Sequence, residues 1–484
     1  MPDNRQDALK LSRAEPLDEA AMRTFYSNIR GQVILPDDAI YKEARTVFYG
    51  GFDRHPAAIV RVKDTSDIAR VVSLARESGL ELAIKSGGHS LAGHSVSDGG
   101  IVLDLSEMKN LEVDTEGRTA WAQTGLTAGE YTAAVGAHGL ATGFGDTGSV
   151  GIGGITLGGG VGYLVRKHGL TIDDVLAAEI VTADGELVYV DAESHPDLFW
   201  AIRGGGGNFG VVSRFRYRLH EVDTIVGGML VLPATPKVIA SFVAEAEATP
   251  EELSTIANVM VAPPMPFLPE EAHGKLVIMA LLCYAGEVDE GERVLAPFRA
   301  LATPLIDTVG PKPYPEMYEP MGPGPDEEVA RSLFIDSLDS RAAESIVEYL
   351  QASSAQMAVA QIRVLGEAMA RVPSEATAFA HRKRRIMLAL GAVYEQREEE
   401  AVHRAWVEAF AAALRQGDAG VYVNFLGEEG EERVREAYPG KTWERLAEIK
   451  TRYDPTNLFR LNQNIRPQPP EVAAEHGSHR PRVQ

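Results

Sequence analysis

The sequence predicts an α+β protein of two main units, on three observations. Strands and helices alternate from about residue 58 to 219. From about Val222 the pattern changes to longer apolar strands separated by helices, as in an antiparallel sheet covered on one side by helices. Two glycine-dense runs interrupt the first unit: Lys85-Ser86-Gly87-Gly88-His89-Ser90, and the stretch from Gly148 to Gly162. Main chain without Cβ atoms can approach a ligand closely, and consecutive N–H groups can cradle a pyrophosphate. Together the runs describe a backbone shaped for a large phosphorylated cofactor, with one imidazole presented to it.

In chain order, residues 58–62 form a short β-branched strand. Residues 64–78 form a helix with Ile68, Val71, Val72 and Ala75 on one face and Gly79 as its stop. A strand over 81–85 delivers His89 to the loop that follows, and 100–105 is the next strand. Thr127-x-x-Glu130 is a capping box for a helix ending at Gly139. Residues 179–190 are a hairpin turning at Asp184-Gly185. Pro196 starts a short helix, and 211–219 closes the unit. Beyond it, Thr235-Pro236 caps a helix to about Glu247. Strands over 254–262 and 275–284 flank a Pro-rich loop, and a helix over 340–350 precedes strands near 358–365 and 385–390. The helix over 399–415 carries Val402, Trp406, Phe410 and Leu414 as a core stripe.

Composition excludes several function classes. The 484 residues allow two or three structural units, and no apolar window reaches about 18 residues, so a soluble globular chain is expected. Residues 1–7 are polar and lack the apolar stretch of a secretory signal, which points to the cytoplasm. A net charge of −22 disfavours nucleic acid and anionic membranes. The basic cluster His381–Arg385 reads as a strand edge rather than a phosphate patch. The single cysteine, Cys283, sits in an apolar run and reads as a buried strand thiol. His138, His168 and His195 lack paired ligand spacing, so no metal site is expected. Gly205-x-Gly207-x-x-Gly210 matches a dinucleotide fingerprint as a string. Its flanks are reversed, however, with a helix before and a strand after, so it reads as a close-approach loop.

Five features then occur in order: the Gly-Gly-His loop; Val150-Gly151-Ile152-Gly153-Gly154 through Gly158-Gly159-Gly160-Val161-Gly162; Arg166-Lys167-His168-Gly169-Leu170; Asp197-Leu198-Phe199-Trp200 through Gly204–Gly207; and Tyr422-Val423-Asn424-Phe425 with Tyr453-Asp454-Pro455-Thr456-Asn457-Leu458-Phe459-Arg460. With them the chain resembles, over roughly residues 35 to 467, the berberine-bridge-enzyme-like group of the vanillyl-alcohol oxidase/p-cresol methylhydroxylase superfamily of FAD-dependent oxidoreductases. The resemblance implies a two-subdomain FAD-binding domain of the p-cresol methylhydroxylase type over 35–221. A substrate domain with a helix-covered antiparallel sheet follows over 222–415, and a C-terminal segment over 416–466 returns to the FAD domain. Residues 1–34 are then an N-terminal extension and 467–484 a polar, Pro-rich disordered tail.

The same resemblance implies site residues. His89 would carry the flavin through its 8α-methyl group, whereas His94 reads as solvent-facing or as a hydrogen-bonding neighbour. Cofactor contacts fall on Lys85, Ser86, Gly87, Gly88 and Ser90, then on Thr147, Gly148, Ser149, Val150, Gly153 and Gly154. Further contacts fall on Gly158, Gly159, Gly160 and Gly162, on Gly210, Val211 and Val212, and on Asn424 and Asn462. Plant-type and many fungal members add a cysteinyl tether where this chain has Thr147, so a single histidyl link without a cysteinyl one is expected. Val150 falls beside the reactive face of the flavin, where a small side chain leaves room for oxygen.

A positioned base assists hydride transfer by about 10² to 10⁴. Tyr422 is the candidate, with packing beside the flavin as its other role, since an unperturbed phenol has a pKa of about 10. Glu367, after Leu365-Gly366, is either a second base or ammonium-binding group, or an exposed charge on a strand edge. The resulting expectation is an FAD oxidase, monomeric or a small homo-oligomer. It would take hydride from a CH–OH or CH–NH carbon of a small sugar, alcohol or amine and give hydrogen peroxide with oxygen. The alternatives are a dehydrogenase with another acceptor and a non-catalytic flavin-binding protein.

Overall fold

Short β-branched segments joined by one long helix build the first layer of the computed structural model, which describes residues 25, 27–264, 266, 268–318, 322, 324–417 and 420–469. Strands β1 (Gln32–Ile34), β2 (Ala58–Arg61), β3 (Leu82–Lys85) and β4 (Ile101–Asp104) form a sheet in the order β1-β2-β4-β3. The pairs β2·β4 and β3·β4 are parallel. Parallel strands need a crossover, and the helix Thr65–Ser78 supplies the one from β2 to β3, across β4. Asp64 caps that helix by accepting the Ser66 and Asp67 N–H groups, and Gly79 ends it at φ 69°. Its predicted face is fully buried against the sheet.

The second sheet is antiparallel. It is built from β5 (Leu111–Asp114), β6 (Thr119–Gln123), β8 (Val175–Val181), β9 (Leu187–Asp191) and β10 (Val211–Arg218) in the order β5-β6-β10-β8-β9. A small ladder pairs β7 (Leu140–Ala141) with β11 (His220–Glu221). The Thr127/Glu130 capping box is formed and opens the helix Ala128–Gly136.

The third sheet has eight strands: β12 (Thr224–Pro233), β13 (Leu253–Val261), β14 (Leu276–Tyr284), β15 (Ile306–Asp307), β16 (Gly310–Pro313), β17 (Glu327–Ile335), β18 (Met357–Val364) and β19 (Ile386–Tyr394). Its order is β15-β12-β14-β13-β18-β19-β17, with β16 also on β12, and every pairing is antiparallel. Residues on these strands alternate sharply. Ala358, Ala360, Ile362 and Val364 of β18 enter the core under the helices Pro236–Ala248, Val288–Arg299, Ser340–Ala352 and Glu400–Leu414. Val359, Gln361 and Arg363 point to the opposite face, which turns toward the first two sheets. That free face is what the fold provides for a site.

Two details differ from the sequence reading. Val402 is 62% exposed, and the buried stripe of its helix is His403, Val407, Phe410 and Leu414. A strict four-residue step drifts off the core face of a 3.6-residue helix, which explains the miss. The basic cluster is no strand edge either: His381 and Arg382 are buried before β19 begins at Ile386, and Arg382 clamps Asp173 with bonds of 2.7 and 2.8 Å. The expected tail lies, for residues 470–484, outside the described residues, as do residues 1–24 of the expected extension. Among the described residues no helix is long and apolar enough to cross a membrane.

Candidate active site

The two glycine runs meet. A Cβ placed on Gly87 would lie 2.1 Å from the Gly151 nitrogen, and one on Gly151 would lie 2.2 Å from the Gly87 nitrogen. Backbone therefore presses on backbone, and only glycine permits the contact. Ser86 Oγ locks the first loop by donating to the Thr124 carbonyl at 2.5 Å. Lys85, just before it, turns away and donates to the Ala44 and Thr46 carbonyls at 2.9 Å, tying down the 41–46 segment. This leaves His89 at the loop tip, stacked on Phe48 with ring centroids 3.9 Å apart.

His89 opens onto a cavity of about 640 Å³ between these loops and the free face of the third sheet, within the size range of small-molecule and cofactor sites. Of the residues predicted to hold cofactor, Ser86, Gly87, Gly88, His89, Ser90, Thr147, Val150, Gly153, Gly154, Gly210, Val211, Val212, Asn424 and Asn462 line it. Burial holds the His89 imidazole down at about 4, against a hydrogen bond with the Ser149 backbone that works the other way. The ring is neutral at ordinary pH, the form in which a ring nitrogen keeps a lone pair. His94 is not solvent-facing: it lines the same cavity and is held at about 4, chiefly by burial and also by Arg54.

Tyr422 enters from the C-terminal segment and is 2% exposed. Its oxygen accepts the Gly160 N–H at 2.8 Å and the Asn424 Nδ2 at 2.9 Å. Burial raises its pKa above the ordinary value, although Gly160, Asn424, Arg363 and Val161 all oppose the shift. The glycines Gly158, Gly159 and Gly160 stand behind this pair rather than on the cavity wall. A Cβ on Gly158 would lie 1.9 Å from Asn424 Oδ1, and one on Gly159 3.1 Å from Tyr422 Cε2. Gly162 is pressed against the Phe144 carbonyl in the same way, and Gly148 and Ser149 lie behind the wall beside the helix-opening loop. Glu367 is not brought to the cavity. Its half-exposed carboxylate sits 3.8 Å from both Arg166 and Arg371.

The wall that sequence reasoning missed is the third sheet. Arg363 Nη2 meets Asp146 at 2.7 Å, and Nη1 donates to the Val161 carbonyl at 2.9 Å. Gln361 Nε2 donates to Asn258 Oδ1 at 3.0 Å, while Glu328 and Tyr49 complete the far end. Polar residues two apart within otherwise apolar strands were the available signal.

A large cofactor fits this arrangement. The glycine cradle exposes main chain, and on the cavity wall Asn462 Oδ1 is buried with no hydrogen-bond partner among the described residues. Residues 56–191 match the family described as FAD binding domain, and 421–466 the family described as berberine and berberine like. The chain is 31% identical to (R)-6-hydroxynicotine oxidase of Paenarthrobacter nicotinovorans, over 91% of this chain and 98% of that one. It belongs to the berberine-bridge-enzyme-like FAD-linked oxidoreductases. The crystal structure of 6-hydroxy-D-nicotine oxidase from Arthrobacter nicotinovorans superposes with a TM-score of 0.81 at 29% identity, covering 94% of this chain and 100% of that one. Xylooligosaccharide oxidase from Myceliophthora thermophila C1, in complex with xylobiose, does so with 0.80 at 26%, covering 93% and 100%. The berberine-bridge-like chain described here is thus a flavoprotein and an oxidoreductase of the oxidase kind, with an FAD-binding domain and an antiparallel substrate domain.

Proposed function

We propose that this protein oxidises a CH–OH or CH–NH carbon of a small organic substrate, with FAD held covalently through His89 alone and oxygen as the final acceptor. The FAD unit would span 35–221 and 416–466, and the substrate unit 222–415. When bound, FAD supplies the hydride-accepting N5 and passes the electrons to oxygen, which leaves as hydrogen peroxide. The observation that carries the reading is that His89, at one glycine loop, and Tyr422, from the C-terminal segment, open onto a single cavity closed by the third sheet.

Each residue then has a task. His89, neutral and with a ring-nitrogen lone pair free, would hold the flavin at its 8α carbon. Ser86–Gly88, Gly153, Gly154 and Gly210 let main chain lie against the cofactor, and Asn462 offers the hydrogen-bonding atom it does not use internally. Val150 stands on the cavity wall with a short side chain, compatible with entry of oxygen. Tyr422 takes the substrate proton as the hydride leaves, and Asn424 and the Gly160 N–H fix its oxygen. A single tether is supported by Thr147 on the wall and by the position of Cys283. That thiol is buried in β14, in the core beside Tyr314 and Tyr318, and burial pushes it up to about 12, far from the reactive thiolate range.

Acid precipitation of the purified protein tests the anchor. The yellow chromophore should stay in the wild-type pellet and move to the supernatant in His89→Ala. A colourless wild-type pellet, or a yellow pellet from the variant, removes His89 from this role. The names of the relatives include a hydroxynicotine and a xylooligosaccharide, so kinship leaves the substrate class open.

A further inference from the structure

Among the described residues two carboxylates line the cavity outside the reading above, and only Glu328 is unpaired, since Asp146 is held by Arg363. Glu328 is the second residue of β17 and lines the cavity, and among the described residues its carboxyl has neither a hydrogen bond nor an ion pair. Its neighbours across the sheet are small. Ala330 faces Gly391, Ser332 faces Ala389, and Gly391 in turn faces Val359 on β18. A Cβ on Gly391 would come within 3.3 Å of Glu328 Oε1, so the absence of one leaves a hollow beside the carboxyl.

Most other polar groups of that wall are already committed, Ser332 Oγ being the exception, buried with no hydrogen-bond partner among the described residues. Arg363 binds Asp146, the Val161 carbonyl and Gln361, and Gln361 binds Asn258. Arg331 also borders the cavity, but Glu408 and Glu429 hold its guanidinium. A sugar entering this hollow would bury several hydroxyls against Ala330, Ala389, Gly391 and Val359. Ser332 Oγ alone is too little to pair them all, and unpaired buried hydroxyls weaken binding. An apolar body carrying one positive charge meets what the wall offers.

We propose that Glu328 anchors a protonated nitrogen of the substrate, so that the substrate is a basic amine with an apolar body rather than a sugar. This deepens the oxidase reading and rests on it. It also moves the ammonium-binding role from Glu367, which lies off the cavity, to a carboxylate that lines it. Charge-assisted N–H···O⁻ bonds of this kind are about twice as strong as neutral ones.

The titration of the free site is consistent with that role. Burial alone raises the Glu328 carboxyl to about 7, with no cation to lower it. Of the titratable groups sharing the cavity, His89 and His94 are held neutral down to about 4, and burial raises Tyr49 and Tyr422, so none of these four changes state near that pH. The charged groups there are paired, Arg363 with Asp146 and Arg331 with Glu408 and Glu429. A bound cation would favour the ionised carboxyl, and the proton would be released to solvent.

Benzamidine and benzamide make a matched pair of probes, alike in shape, one cationic and one neutral, and neither has an oxidisable carbon next to nitrogen. Calorimetric titration of the flavin-loaded protein should show benzamidine bound at least about tenfold more tightly than benzamide at pH 8. That preference should shrink about tenfold between pH 8 and pH 6, as the carboxyl protonates. Glu328→Gln should abolish the preference and leave benzamide affinity unchanged. Equal affinity of the two probes for the wild type, or a preference that survives Glu328→Gln, overturns the proposal. If Glu328→Gln fails to retain flavin, the wild-type pH profiles decide: parallel profiles for the two probes overturn it. Binding is read without turnover, so a failed anchor and a failed oxidase reading give different results.

Discussion

At Tyr422 opposing influences act on one oxygen. Two N–H donors and the Arg363 charge favour the phenolate, and complete burial outweighs them, so the resting group is a phenol. With both donors pointing at the oxygen, its own proton is directed elsewhere. A base of this kind gains activity as pH rises, because only the ionised fraction accepts a proton. Tyr422→Phe should slow anaerobic flavin reduction by about 10² to 10⁴ at fixed pH. The wild-type rate should climb with pH without levelling below about 10. A plateau near neutrality, measured by stopped flow, would assign the proton transfer to another group. The same substitution leaves the Gly160 and Asn424 donors unpaired, at a cost of about 1–3 kcal/mol, so its stability must be measured beside its rate.

The C-terminal helix Lys441–Tyr453 shows how one clasp positions a segment of the site. Lys450 and Asp454 are both fully buried and 2.6 Å apart. Lys450 Nζ also donates to the Asn208 and Phe459 carbonyls, and Asp454 accepts the Leu458 and Phe459 N–H groups. The clasp thereby holds the turn that carries Asn462 to the cavity. Breaking a buried pair from one side leaves an uncompensated charge, at about 3–5 kcal/mol. Lys450→Met should therefore lower the thermal midpoint and the flavin content together, and unchanged values for both would make the clasp dispensable. In the sequence Asp454 was visible as part of a motif, whereas Lys450 and the clasp were not. A Lys and an Asp four residues apart on a helix ordinarily form a solvated pair, and only tertiary packing buries them. The capping box at Thr127 and the helix stop at Gly79 were legible because their bonds are local. Val402 was not, since helical phase decides which side of a turn meets the core.

The molecule as a whole brings two glycine loops, a C-terminal return and one face of an eight-stranded sheet around a single cavity. The cofactor half was readable because its residues are consecutive and glycine is hard to replace where backbones touch, as at Gly87 and Gly151. The substrate half was not. Glu328, Gln361 and Arg363 come from strands separated in sequence, and Ala330 and Ala389 look like core until strand pairing shows that they face the cavity. Peroxide yield from a single enzyme turnover tests the oxidase reading most directly. Purified protein is reduced in a sealed cell by a basic aryl amine and then mixed with oxygen. The expected result is bleaching of the flavin band, recovery on mixing, and one hydrogen peroxide per flavin. A flavin that no amine, alcohol or sugar bleaches, or one reoxidised by an artificial dye but not by oxygen, would contradict it.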